Sequence, residues 1–429
     1  MLILPPKKES EIGSKEPENR LNLNPQTVSE IWREKARAKA LEIGPPRPKQ
    51  EAFQYLPFSR LDLGRSVETP ASIESIDAYR LPELDHCLVF IDGFFSPLHS
   101  SVPKDLVCLP LSVALQSYGL FIQNRWARTL KEERDPFALR NAAEQGSGAF
   151  LYAPPRTKTK LHILQIFTTD ALASPRLDIT LGQGADLTLA QTFVCQHTHV
   201  CSNSAIDFTL DAASKVRFLD VQLLGTFARS FTSVKATLKR DATFDSLSIT
   251  DGAAVSRSAF TVELAEENSS LSLKGLSLLT EERQSHIHAF VDHAAPNCTS
   301  RQHFKMALAE KSQSSFEGKI YVRPIAQKTM AYQLNNNLLL SDGVRANSKP
   351  NLEIFADDVK ASHGSTMTQL SAEESFYLRS RGLSAADAQA LLAHGFCKEI
   401  LEEVEIESLK TPLERVVQKV LDCRGLDAL

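Results

Sequence analysis

The feature that most narrows the fold is a repeat of paired strands with no helix between them. From about Leu161, apolar and polar residues alternate, and Gly, Asn, Asp and Ser punctuate the alternation. "RLDITLGQGADLTLAQTFV" places Leu177, Ile179 and Leu181, then Leu187 and Leu189, on alternate positions. "AIDFTLDAASKVRFLDVQLLG" repeats the form, and "SVKATLKRDATFDSLSITDG" and "AFTVELAEENSSLSLKGLSLL" follow. First strands begin near residues 177, 206, 234 and 260, each trailed by a second about ten residues later, a period of roughly 26 to 29 residues. A strand of period two buries one face. Without crossover helices these units cannot form a doubly wound sheet. Antiparallel hairpins in a sandwich or barrel fit the alternation. A stack of coils in a β-solenoid fits the sustained two-strand period better.

The flanks have a different texture, and 429 residues allow two or three structural units. Residues 1–155 read as a mostly helical N-terminal domain whose first ~25 residues, charged and proline-bearing, are expected to be mobile. "TVSEIWREKARAKALEIG" predicts a helix with Ile31, Lys35, Ala38 and Leu41 on one face, Thr27 or Ser29 as cap, and Gly44 as terminator. A second helical stretch is expected from Leu106 to Ala143. Residues 156–370 form the β core, and 371–429 a helical C-terminal domain. There Ser371 with Glu374 makes a capping box, and Ser384 with Asp387 a weaker start signal. Gly395 is expected to end one helix and Pro412 to begin the last, whose Val416, Val417, Val420 and Leu421 are apolar. Such a stripe can dock a partner, or it can pack on the end of the solenoid.

Composition excludes more than it assigns. A net charge of −4 offers no dense basic face for nucleic acid or an anionic membrane. No apolar run approaches the ~18 to 20 residues of a membrane span. The opening "MLIL" stops at Pro5 and does not resemble a signal peptide. Seven cysteines without a CxxC pair suit a reducing compartment such as the cytoplasm.

Two clusters contain metal-ligand residue types. Cys195, His197, His199 and Cys201 would share one face of a strand, but the outer two would then lie about 20 Å apart at ~3.3 Å per residue, too far for one ion. His286, His288, His293, Cys298 and His303 meet the same objection. An ordinary strand or turn is the simpler reading of both. No GxSxG, HExxH, P-loop or GxGxxG pattern occurs. A glycan-cleaving solenoid needs gathered carboxylates, and the adjacent Asp357 and Asp358 would point to opposite faces of a strand.

A longer stretch carries a specific resemblance. "AQKTMAYQLNNNLLLS", "LEIFADDVKASHGST" and "FYLRSRGL" lie within a continuous segment from Asp292 to Phe396 that resembles the SufB/SufD family of iron–sulfur cluster assembly proteins. "LVFIDGFFS", "SPRLDITLGQGADLTL" and "GPPRPKQEAFQYLPFSRL" extend it upstream, with Phe53 where the family is expected to have tryptophan. "KPNLEI" and "ADDVKASHGSTM" are of SufD type, and "RANSKP" (Arg345 to Pro350) replaces the cysteine-bearing "QCDS" of SufB. A SufB-like scaffold that itself carries the nascent cluster is the alternative.

The resemblance implies a right-handed parallel β-helix between helical domains, mainly β, and a scaffold subunit rather than an enzyme. It implies pairing with SufB through the β-helix and with the ATPase SufC through the C-terminal helices, and a possible homodimer when alone. ATP would be bound by SufC and a transient iron–sulfur cluster by the complex, with no cofactor held tightly by this chain alone. His363 would be a candidate cluster ligand at the SufB interface, the alternative being a structural turn histidine. Relatives often carry cysteine two residues earlier, where this chain has Ala361. Lys360 and Asp358 would join the same interface, and Phe376, Tyr377, Arg379, Arg381, Leu391 and Phe396 the docking surface for SufC.

Overall fold

The structure is a computed structural model and describes residues 25–145 and 147–422; the N-terminal segment expected to be mobile lies outside them. Its body is a parallel β-helix flattened into two ten-stranded sheets. From Arg176–Leu181 onward successive strands alternate between the sheets. Each strand pairs in parallel with the corresponding strand of the next coil, so Leu189, Phe218, Ser246 and Leu273 fall in one row. Parallel pairing rules out the hairpin sandwich, in which consecutive strands would pair antiparallel. Coil length varies, from 26 residues between the partners Arg229 and Val255 to 32 between Gln313 and Arg345. Both sheets continue upstream of residue 156, where Cys87–Ile91 pairs with Lys158–Phe167 and Ala149–Ala153 with Arg176–Leu181.

The coils turn at a column of left-handed residues. Gly184, Ala213, Asp241, Asn268, Asn297 and Lys328 have positive φ, and each donates its backbone N–H to a carbonyl of the next corner. Asn and Asp tolerate this region by bonding locally; Ala213 and Lys328 are held there by the ladder itself. The interior divides lengthwise. One half is apolar, with Phe208 against Phe244 at 5.0 Å and Phe304 against Phe316 at 5.3 Å between ring centres. The other half is polar: Asp220 accepts from Gln191 at 2.9 Å and Gln222 at 2.6 Å, Ser277 meets Ser285 at 3.0 Å, and Gln333 donates to Gln302 at 3.1 Å. Burial lifts the Asp220 carboxyl to about 6.

The described residues contain seven α-helices: α1 Pro25–Ile43, α2 Leu111–Ser117, α3 Gly119–Glu132, α4 Pro136–Glu144, α5 Ala372–Ser380, α6 Ala385–Leu401 and α7 Glu407–Asp422. Gly44 ends α1 as expected, with φ +75°. The buried face of α1 differs from the expected one. Trp32 and Ala36 are inside, and Leu41 is 84% exposed. Trp32 stacks on Trp126 of α3, while Ala36 meets Ala142 and Ala143 of α4, so close helix approach decides the face. The helix begins at Pro25, ahead of both expected caps. Residues 107–110 form a strand rather than the start of the second helical stretch. Asp135 caps α4 and pairs with Arg257 of the sheet at 2.6 Å, and Arg257 lies over the Phe53 and Phe137 rings.

Two outcomes are expected. Phe304→Ala should cost roughly 3–5 kcal/mol by opening a cavity in the apolar half, read as a lower urea midpoint at unchanged slope. Burial holds the imidazoles of His162, His286 and His293 at about 4, 3 and 4, below the ordinary value of 6.5. The unfolded chain therefore takes up protons first as pH falls. Their contribution is complete above pH 6.5 and is lost progressively between 6.5 and about 3. Replacing His286 with Gln should flatten the fall of unfolding free energy over that window.

Candidate functional site

The C-terminal end of the β-helix is where its repeat stops. Arg345–Ile354 is the last strand of one sheet and Val359–Thr368 the last of the other, and each has a partner on one side only among the described residues. One full row of backbone donors and acceptors on each is therefore available to another chain. His363 sits at the middle of the second of these strands, beside Gln333 in register. Val359 and Ala361 pack inward with Ala331 and Leu352, so alternation places His363 and Ser365 on the same interior-facing row. His363 is nonetheless exposed, because no coil is stacked above it.

This placement corrects the turn alternative for His363, which is a strand residue. Asp357 and Asp358 lie at the end of a strand, directly before Val359, rather than within one. Both are exposed in the corner before the strand, where the Asp358 backbone N–H donates to Gln327 Oε1 at 2.9 Å and its carbonyl receives the last rung of the corner ladder from Lys328. Lys360 projects from the opposite, outward row of the same strand and is exposed. The structure thus brings Asp358, Lys360 and His363 together at one end of the solenoid. Ala361 leaves no thiol in their strand.

The two histidine–cysteine clusters resolve into separate environments. His197 and His199 lie in the loop joining Asp186–Cys195 to Cys201–Leu210, and His199 stacks on Phe227 at 5.2 Å. Burial pushes the Cys195 thiol up to about 12 and the Cys201 thiol to about 11. In the second cluster His286 bonds Ser315 at 2.7 Å and Gln284 at 3.0 Å, His293 bonds Ser300 at 2.8 Å, and His303 bonds Asn336 at 2.9 Å. Among the described residues, no three His, Cys, Asp or Glu side chains are arranged to hold a metal. A cleft of 460 Å³ lies far along the outer face, bridged by the Lys274–Glu403 and Arg217–Glu405 pairs at 2.5 and 3.7 Å.

The C-terminal helices separate into a docked part and a projecting part. Ser371 and Ser384 cap α5 and α6 as their spacing predicts. Gly395 does not end α6, which runs six residues further to Leu401 so that Cys397 and Ile400 reach the sheet. Pro412 is inside α7, which begins at Glu407. Val417, Val420 and Leu421 pack with Val221, Ile249 and Leu276 on the outer face, so the apolar stripe of α7 is spent on the solenoid. By contrast α5 buries no residue. Phe376 is 72% exposed and Tyr377 57%, with Arg381 over the Tyr377 ring at 5.2 Å and Arg379 exposed beside them. Leu391 is 52% exposed. Phe396 is half-buried at the seam, with Lys305 Nζ 4.9 Å from its ring and bonded to its carbonyl at 3.0 Å.

The fold is thus a parallel β-helix whose last coil has one neighbour among the described residues and whose α5 stands clear of the core. Residues 165–396 match the model of the SUF-system FeS cluster assembly SufBD core domain. The chain is 30% identical to the iron–sulfur cluster assembly protein SufD of Escherichia coli over 389 residues, 89% of this chain and 90% of that one. It is 29% identical over 396 residues to an iron–sulfur cluster assembly SufBD family protein of Synechocystis sp., covering 87% and 86%. It is 24% identical over 401 residues to the chloroplastic protein ABCI7 of Arabidopsis thaliana, covering 88% and 82%. This chain belongs to the SufBD family of iron–sulfur cluster assembly proteins. No described helix is long and apolar enough to cross a membrane.

The seam separates two residues that the sequence grouped. Leu391→Asp should leave stability within about 0.5 kcal/mol of wild type, whereas Phe396→Asp should cost roughly 1 to 3 kcal/mol by placing a carboxylate against the sheet. Thermal unfolding of the two variants checks this.

Proposed function

We propose that this chain is a SufD-type scaffold subunit that pairs with SufB through the terminal coil of its β-helix and docks the SufC ATPase through α5 and α6. The observation that carries the reading is the position of His363: interior-facing row, last coil, exposed, between two unpaired strand edges. A chain adding strands to those edges would close over the imidazole. A neutral imidazole can ligate iron beside thiolates. With Ala361 two residues earlier, the thiolates of the nascent cluster come from SufB, and the cluster is cargo rather than a resident cofactor. The exposed Phe376, Tyr377, Arg379, Arg381 and Leu391 suit a docking anchor, since aromatic and arginine side chains dominate interface energetics. Lys360 and Asp358 flank the SufB contact. ATP hydrolysis falls to SufC, because this chain has no P-loop. The complex works in the reducing cytoplasm, and the same edges account for a homodimer when the chain is alone.

Co-expression with SufB and SufC, wild type against His363→Ala, tests the reading through iron and sulfide per anaerobically purified complex. An assembled complex that has lost most of its iron is expected. Unchanged iron would reduce His363 to a structural residue. Leu391→Asp should abolish co-purification of SufC while SufB remains bound; undiminished SufC would move the docking surface off α5 and α6.

A further inference from the structure

The residue beneath His363 in register carries a buried hydrogen-bonding atom without a partner. Gln333 is 3% exposed and is the register partner of His363. Its Nε2 donates to Gln302 Oε1 at 3.1 Å, and its buried Oε1 has no hydrogen-bond partner. The amide is confined. On the facing strand Gly318 leaves it room: a Cβ there would collide with Gln333 Nε2 and lie 2.7 Å from the Phe316 ring. Gln302 fixes the amide from the coil below. Buried polar atoms are ordinarily hydrogen-bonded, so an orphaned amide oxygen at this position calls for a donor. In the row above, Ala361 offers no side-chain donor, and His363 offers two ring nitrogens.

We propose that Gln333 is a positioning residue for His363, accepting a hydrogen bond from one ring N–H through Oε1 so that the other, unprotonated nitrogen faces the open end of the solenoid. The inference rests on the cluster-ligand reading of His363. Metal-binding imidazoles ordinarily hold their second nitrogen against a carbonyl or carboxylate, which fixes both tautomer and ring direction. Here the acceptor is an amide stacked one coil below, itself oriented by a second amide another coil below. Gly318 is part of the device, because only its missing side chain lets Gln333 lie flat across the interior.

The test uses the full chain labelled with ¹⁵N-histidine. An unprotected imidazole N–H on the surface exchanges with water too fast to be seen, whereas a hydrogen-bonded one gives a resonance. A ring N–H signal is expected that is absent from His363→Ala, lost in Gln333→Leu and retained in Gln333→Glu, which keeps an acceptor oxygen. No His363 signal in the wild type, or one that survives Gln333→Leu, overturns the proposal. Gln333→Met serves if Gln333→Leu fails to fold. In the co-expressed complex, iron affinity should fall roughly 10- to 100-fold in Gln333→Leu and recover in Gln333→Glu. If the N–H signal depends on Gln333 while iron is insensitive to His363→Ala, the hydrogen bond holds and the ligand reading fails. If iron depends on His363 but not on Gln333, the ligand reading holds and the positioning role fails.

Discussion

The rest of the structure depends on the backbone ladder between coils. Each internal strand of the stack gives its hydrogen bonds to the strands one coil above and one coil below, so no such strand is completed within its own coil. Buried backbone donors and acceptors must be paired, and this makes the coil, rather than the hairpin, the unit of folding. The corner ladder applies the same rule to the turns. It also explains why residues as unlike as Ala213, Asn268 and Lys328 share one left-handed conformation. Within such a frame, alternating side chains have only two destinations, the interior or the outer face, and α6 and α7 cover a large apolar area of the outer face.

That logic shows why part of the fold was legible in the sequence. The alternation around Leu177, Phe208 and Leu271 is a local property and gave both the strands and their period. Parallel pairing is not local, so the alternation of residues left the sandwich open until the family resemblance and then the register excluded it. Helix details were missed where tertiary contact overrode a local signal. Gly395 would terminate an isolated helix, yet Cys397 and Ile400 draw α6 onward to the sheet. Trp32 and Ala36, not Ile31 and Leu41, face inward on α1 because a stacked tryptophan pair and a cluster of alanines set the approach of α3 and α4. At the site, His363 was singled out by its motif, while Gln333 carried no signal of its own. Its importance rests on a register that spans 30 residues, which no short pattern contains.

The polar half of the interior is the least ordinary part of the core. Serine, glutamine, asparagine and aspartate occupy positions where a solenoid could carry leucine, and their bonds run between coils as well as across them. Such networks are costly when incomplete. Gln302 Nε2 and Gln333 Oε1 are buried without partners, and both lie near the end where the coil stack stops. The apolar half, packed with phenylalanine, supplies the burial that offsets this cost.

The last coil differs from all the others in having one neighbour instead of two. Each interior coil is held from both sides, so its strands open only with the stack as a whole, whereas the terminal strands are free to fray on their own. Any chain that pairs with their edges contributes the missing ladder and covers the exposed imidazole in a single event. Edge pairing and the ordering of His363 then share one free energy, and by reciprocity whatever binds the imidazole tightens the pairing by the same factor.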